Sequence, residues 1–239
     1  MNSDPKNQHS ASPASSGQYS LSDLRTIATL GMLTALAYAV MAVCKIIPPI
    51  GGFLSFDLKD TVMAIGGFLF GPIAALCIAI LVPFIEFFTV SDTGWYGLVM
   101  NIISTVLFVC PCVYLYRRKH KTSSAVTGLV VGTLCLTAGM ILWNFIITPR
   151  YFGMPRSAVT DLMPMIITFN LIKGTCNSAL IMLLYPPIST ALRKARLVAP
   201  SRYMATGGQK PAFNYTPMAI SAVVLISSIL GVLALLGII

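Results

Sequence analysis

Charged side chains are scarce in this sequence, at 10% of its 239 residues; an ordinary soluble domain carries about a quarter. That scarcity excludes a water-exposed globular fold. Histidine is nearly missing: His9 lies in a polar N-terminal stretch and His120 in a basic loop. An embedded enzyme needs clustered acids or histidines within its apolar segments, and only Glu86 and Lys173 offer themselves there. The G-x-x-x-x-G-K-[ST] frame of a nucleotide-binding loop is absent, since "GGQKP" near the C-terminus does not satisfy it. The chain is therefore not expected to hydrolyse ATP itself. G-x-S-x-G and H-E-x-x-H are missing too, and there is no recognisable nucleic-acid-binding module. Six cysteines, Cys44, Cys77, Cys110, Cys112, Cys135 and Cys176, lie nearly all inside apolar runs and read as small packing residues. The one close pair, "CPC" at 110–112, lacks the further Cys or His partners of a zinc site. Neither a disulfide framework nor a metal is expected.

What fills the sequence is hydrophobic: 56% of residues. The expectation is an all-α, polytopic membrane protein, since runs of about 17–25 apolar residues span a bilayer. The runs fall at 24–46, 58–70, 72–90, 96–116, 125–147, 159–192 and 218–239. The first follows "SLSD", a helix start. The second and third are separated at "FGP", 70–72, and the second is short for a crossing. The sixth is long, so its ends are expected to leave the hydrocarbon or to bend at Pro164 and Pro186-Pro187. Four regions result: a disordered polar tail, 1–20; a six-helix membrane domain, 21–194; a basic linker, 195–215; and an extra transmembrane helix, 216–239. The formal charge of +9 is concentrated in "RRKHKTSS" at 117–124 and in the segment after the sixth run. Helix parity places both on one side. The positive-inside rule makes that side cytoplasmic, together with the N-terminus, in a multi-pass protein of the cell membrane.

Lys173 is the exception within the sixth run. It lies about 18 Å along a helix from Asp161, near the membrane centre. A lysine there costs about 2.5–3.5 kcal/mol on insertion scales, so it faces a protein interior or a wet cavity. Asn170, Lys173 and Asn177 share one helix face, and Gly174 leaves room for a neighbour or a ligand. Lys173 either serves a ligand or pairs with Glu86, with the carboxamides as interhelical contacts. Two further clusters lie toward the outer surface. In "LWNFIITPRYFGMP", Asn144 beside Tyr151 and Phe152 suits a flat heteroaromatic ligand, or else an interfacial aromatic belt. In "GGFLSFDLKD", Phe56 and Asp57 form either the cap of the second helix or part of a lid. Together the three clusters imply an outward-facing pocket. Gly31, Ala35 and Ala39 make a small-residue stripe on the first helix, for packing within the chain or for docking to another membrane protein.

The stretches "FDLKDTVMAIGGFLFGPIAAL", "TGWYGLVMNIIS", "NFIITPRYFGMP" and "FNLIKG" resemble the substrate-binding S components of energy-coupling factor (ECF) transporters. The resemblance is strongest to the riboflavin-specific members and covers about 24–193. It implies a six-helix subunit that binds riboflavin as transported ligand, needs no cofactor and is no enzyme. It also implies a partner module of one transmembrane coupling protein and two ABC-type ATPases. Asn144, Asn170 and Lys173 match the positions that hold the flavin ring and ribityl chain. Gly31, Ala35 and Ala39 match the docking face. The resemblance also implies a loop around Phe56 and Asp57 that closes over the site. The seventh run departs from the pattern, and Glu86 has no matching role. The alternatives are an S component for another vitamin or flavin-like compound, or a solitary carrier using Glu86 and Lys173 as a proton-coupled pair.

Overall fold

The computed structural model describes residues 23–91, 93–198 and 215–238. The tail at 1–20 and most of the basic linker lie outside the described residues. The described chain is helical: α1 (Leu24–Cys44), α2 (Lys59–Phe70), α3 (Pro72–Thr89), α4 (Gly94–Lys119), α5 (Thr122–Ile146), α6 (Thr148–Phe152), α7 (Arg156–Lys194) and α8 (Tyr215–Leu235). Six of them, all but α2 and α6, are long and apolar enough to cross a membrane. Their large aliphatic side chains point outward as well as inward, with Ile27, Ile80, Leu134 and Val223 exposed. This is what a bundle solvated by lipid requires.

α2 is different. Every one of its residues is buried, and at 12 residues it is about 18 Å long. It is an internal helix, packed on α1, α3, α4 and α7. The turn after it depends on Gly71, whose φ of 114° is open only to glycine. Pro72 then starts α3, where its missing N–H is not needed. Phe68 packs against Tyr116 and Tyr185, whose hydroxyls are 2.9 Å apart. Arg117 lies against Gly71, so this turn is at the basic end of the bundle. From there α2 runs back only to mid-depth.

The connection 45–58 between α1 and α2 is exposed at Pro48, Pro49, Gly51 and Gly52 and turns into the bundle at Phe56 and Asp57, which are buried. It carries a single two-residue bridge, Ile50 with Leu54. Irregular backbone at Phe56 and Asp57 is tolerated because protein covers it. Its Ile50, Leu54 and Phe56 share an apolar cluster with Ile166 and Phe169 of α7 and Val232 of α8. α4 and α5 approach closely because Gly128 and Gly132 present no side chain to the α4 backbone at Cys112 and Phe108. α7 is one helix of 39 residues that contains Pro164, Pro186 and Pro187. Its length, about 58 Å, exceeds a hydrocarbon core of about 30 Å. The stripe Gly31, Ala35 and Ala39 is exposed, and nothing lies within 4 Å of the space beside Gly31. It is not spent on packing within the described chain.

Candidate ligand-binding site

Lys173 is buried, 4% exposed, and its partner is Asp57 rather than Glu86. Its Nζ donates to Asp57 Oδ2 at 2.9 Å. Glu86 pairs instead with Lys59, at 2.9 Å, and with Lys45, at 3.4 Å. It also accepts from Asn101 Nδ2 at 3.0 Å. Lys59 closes the chain of charges by lying 3.5 Å from Asp57. Five ionic side chains, Lys45, Glu86, Lys59, Asp57 and Lys173, thus run in alternating sign through the interior. Alternation at contact distance is what lets charges remain in a low-dielectric bundle.

Two expectations from the sequence are corrected here. Lys59, within the "GGFLSFDLKD" cluster read as lying toward the outer surface, has no exposure and sits in the centre of the charge chain. Asp57 does not cap α2, because Leu58 occupies the N-cap position without a side-chain hydrogen bond. Two lysines claim its carboxylate instead.

Asn177 fixes this arrangement from α7. Its Oδ1 accepts from the Thr61 N–H at 3.0 Å and from Thr61 Oγ1 at 2.8 Å. Its Nδ2 donates to the Asp57 carbonyl at 3.2 Å. Asn177 therefore clamps the start of α2 to α7. Gly174, beside it, admits Thr133 of α5, so its missing side chain serves a neighbouring helix. Asp60, buried, accepts from Thr105 at 2.8 Å. Asp57 Oδ1 and Asp60 Oδ2 are buried without hydrogen-bond partners among the described residues.

Above Lys173 is a cavity of about 30 Å³ lined by Lys45, Glu86, Asn101, Ser104, Asn170 and Lys173, with apolar walls from Phe53, Met100, Met140 and Phe169. Of the residues singled out from sequence, Asn170, Lys173 and Glu86 line it. The others stand one step behind. Phe56 meets Phe169 edge-on, with centroids 6.5 Å apart. Asp57 holds Lys173. Asn144, fully buried, donates to the Met140 carbonyl at 2.8 Å and accepts from Thr148 Oγ1 at 2.9 Å. Tyr151 is about half exposed, stacks on Tyr96 with centroids 4.3 Å apart, and donates to the Thr93 carbonyl at 3.0 Å. Each carboxamide, Asn144 and Asn170, spends one N–H on its own helix and keeps a second.

Sequence reasoning missed Lys45, Phe53, Asn101, Ser104 and the inward side of "WY". Tyr96 is buried whereas Trp95 is 68% exposed. Tyr96 hydrogen-bonds Thr148 at 2.6 Å and packs with Trp143 and Phe152. Asn101 carried a readable signal, since it is a carboxamide within an apolar run. Phe53 carried none.

A lipid-solvated helical bundle that holds a charged, aromatic-walled cavity is the build of a membrane solute-binding protein. The family model "ECF transporter, substrate-specific component" matches residues 25–185. The chain belongs to that family: it is a substrate-specific component of a transporter and not an enzyme. It is 25% identical over 178 residues to the riboflavin transporter RibU of Staphylococcus aureus (strain TCH60), covering 71% of this chain and 93% of the relative. To the riboflavin transporter FmnP of Bacillus subtilis (strain 168) it is 21% identical over 183 residues, covering 72% and 96%. Among solved structures it is similar to one described as "Structure and mechanism of the S component of a bacterial ECF transporter". There the TM-score is 0.61 at 26% identity, over 71% of this chain and 98% of the other. α8 lies beyond the matched region.

Proposed function

We propose that this chain captures riboflavin at the cavity above Lys173 and delivers it inward with an ECF module of one transmembrane coupling protein and two ABC-type ATPases. The observation that carries the reading is the cavity wall. Lys173, Asn170 and Asn101 offer fixed polar groups, and Phe53 and Phe169 offer flat apolar faces. A heteroaromatic ring with a polyhydroxyl chain requires both kinds of contact. The names of the relatives point the same way. Lys173 and Asn170 contact the flavin directly in this reading. Asn144 and Tyr151 shape its outer wall through Thr148 and Tyr96, and Phe56 and Asp57 hold the floor.

A cavity of about 30 Å³ has room for about one water. Loading therefore requires the 45–58 connection and the Phe53–Phe152 ring contact, centroids 5.8 Å apart, to move aside. In this reading the N-terminus is cytoplasmic and the cavity faces outward, which the basic ends of α4 and α7 support through the positive-inside rule. The exposed stripe Gly31, Ala35 and Ala39 receives the coupling protein, since small residues let helix backbones approach.

The test is the absorbance and fluorescence spectrum of detergent-purified protein from riboflavin-supplemented cells. A stoichiometric flavin spectrum is expected, weakened about ten- to a hundredfold in affinity by Lys173→Ala or Asn170→Ala, the scale of a lost charged hydrogen bond. A colourless protein that does not quench added riboflavin refutes the assignment.

A further inference from the structure

A second cavity, of about 450 Å³, lies between α5, α7 and α8. Its walls are aliphatic, with Leu129, Val130, Leu134, Met182, Ile220 and Val224 among them. Of the four hydroxyls on it, two are spent on their own helices: Thr133 donates to the Leu129 carbonyl at 2.9 Å, and Ser221 to the Pro217 carbonyl at 2.8 Å; the others are Thr175 and Ser178. Water needs two to four polar partners to occupy such a space, and Thr175 and Ser178 are a sparse supply for a mostly aliphatic space of about 450 Å³. Val130, Leu134 and Ile220 are all more than half exposed, so the cavity is a groove open to the side of the bundle. That side is hydrocarbon. At about 30 Å³ per methylene, roughly the room a water takes, the volume matches one acyl chain.

Charge decides which lipid. The groove occupies the half of each helix nearest the basic end. Val126 lines it and lies about 7.5 Å along α5 from exposed Lys121. That end of the bundle carries Arg117, Arg118, Lys119, Lys121, Arg193, Lys194 and Arg196, with Asp23 the one described acid there. Basic clusters at the mouth of an interhelical pocket select acidic headgroups.

We propose that the α5–α7–α8 groove binds one acyl chain of an anionic phospholipid from the leaflet at the basic end, with Lys121 at its headgroup. One wall of the groove is α8, so the site is formed by the helix that lies outside the family match.

The experiment is native mass spectrometry of the detergent-purified full chain titrated with palmitoyl-oleoyl phosphatidylglycerol or phosphatidylcholine. One phosphatidylglycerol is retained preferentially. Lys121→Gln lowers its retention about fivefold, the equivalent of about 1 kcal/mol per basic residue near a membrane surface. Val130→Trp, which fills the groove from its exposed side, abolishes it while monodispersity is kept. Leu134→Trp serves if Val130→Trp is not monodisperse. Equal retention of both lipids, or phosphatidylglycerol adducts that survive the tryptophan variants, overturns the proposal. So does a photo-crosslinker at position 130 that captures polypeptide rather than lipid in membranes.

Discussion

Asp57→Asn isolates the charge chain most cleanly. Asp57 Oδ2 holds Lys173 at 2.9 Å and Lys59 at 3.5 Å. Lys59 keeps Glu86 at 2.9 Å after the substitution. Lys173 has no second carboxylate within ion-pair distance among the described residues. The substitution therefore strands one buried ammonium, and breaking a buried pair from one side costs about 3–5 kcal/mol. At about 2–4 °C per kcal/mol for a chain of this size, the unfolding midpoint in detergent should fall by about 6–20 °C. Lys59→Met should cost less, because Asp57 keeps Lys173, and Glu86 keeps Lys45 and Asn101. Asp57→Asn combined with Lys173→Met removes the stranded charge and should recover much of the loss, a coupling of about 0.5–3 kcal/mol. The assay is thermal unfolding followed by the fluorescence of Trp95 and Trp143. If the double variant is no more stable than Asp57→Asn alone, or if Lys59→Met is the worse single change, the pairing argument is wrong.

Other expectations are simpler to test. Ala35→Trp should leave riboflavin binding by the purified subunit unchanged and abolish uptake in cells, because it blocks the exposed stripe and not the cavity; retained uptake would move the docking face elsewhere. Gly71→Ala should cost about 1–3 kcal/mol, since alanine must adopt a φ of 114°; chemical unfolding of the purified protein measures it. Uptake should stop when the ATPase partners are withdrawn and persist in a proton ionophore while ATP is maintained. The reverse pattern would favour a solitary carrier, for which the geometry offers no direct Glu86–Lys173 pair.

The membrane class, the approximate helices and the inward-facing position of Lys173 were legible in the sequence because each is local. Hydropathy over one helix length sets the spans, "FGP" sets a turn through a permissive glycine followed by a proline of fixed φ, and helical spacing alone puts Asn170, Lys173 and Asn177 on one face. Family motifs within 24–193 were legible for the same reason. What Lys173 pairs with was not local. Its carboxylate is 116 residues away, and Asp57 and Glu86 are equally acidic on paper. Only the turn of the 45–58 connection into the bundle at Phe56 and Asp57 gives Asp57 to Lys173 and leaves Glu86 to Lys59. The same turn buries Lys59, which sequence places beside a Pro/Gly loop. Rotation of α4 likewise turns Tyr96 inward and Trp95 outward, a choice between adjacent aromatics that helix packing makes and composition does not.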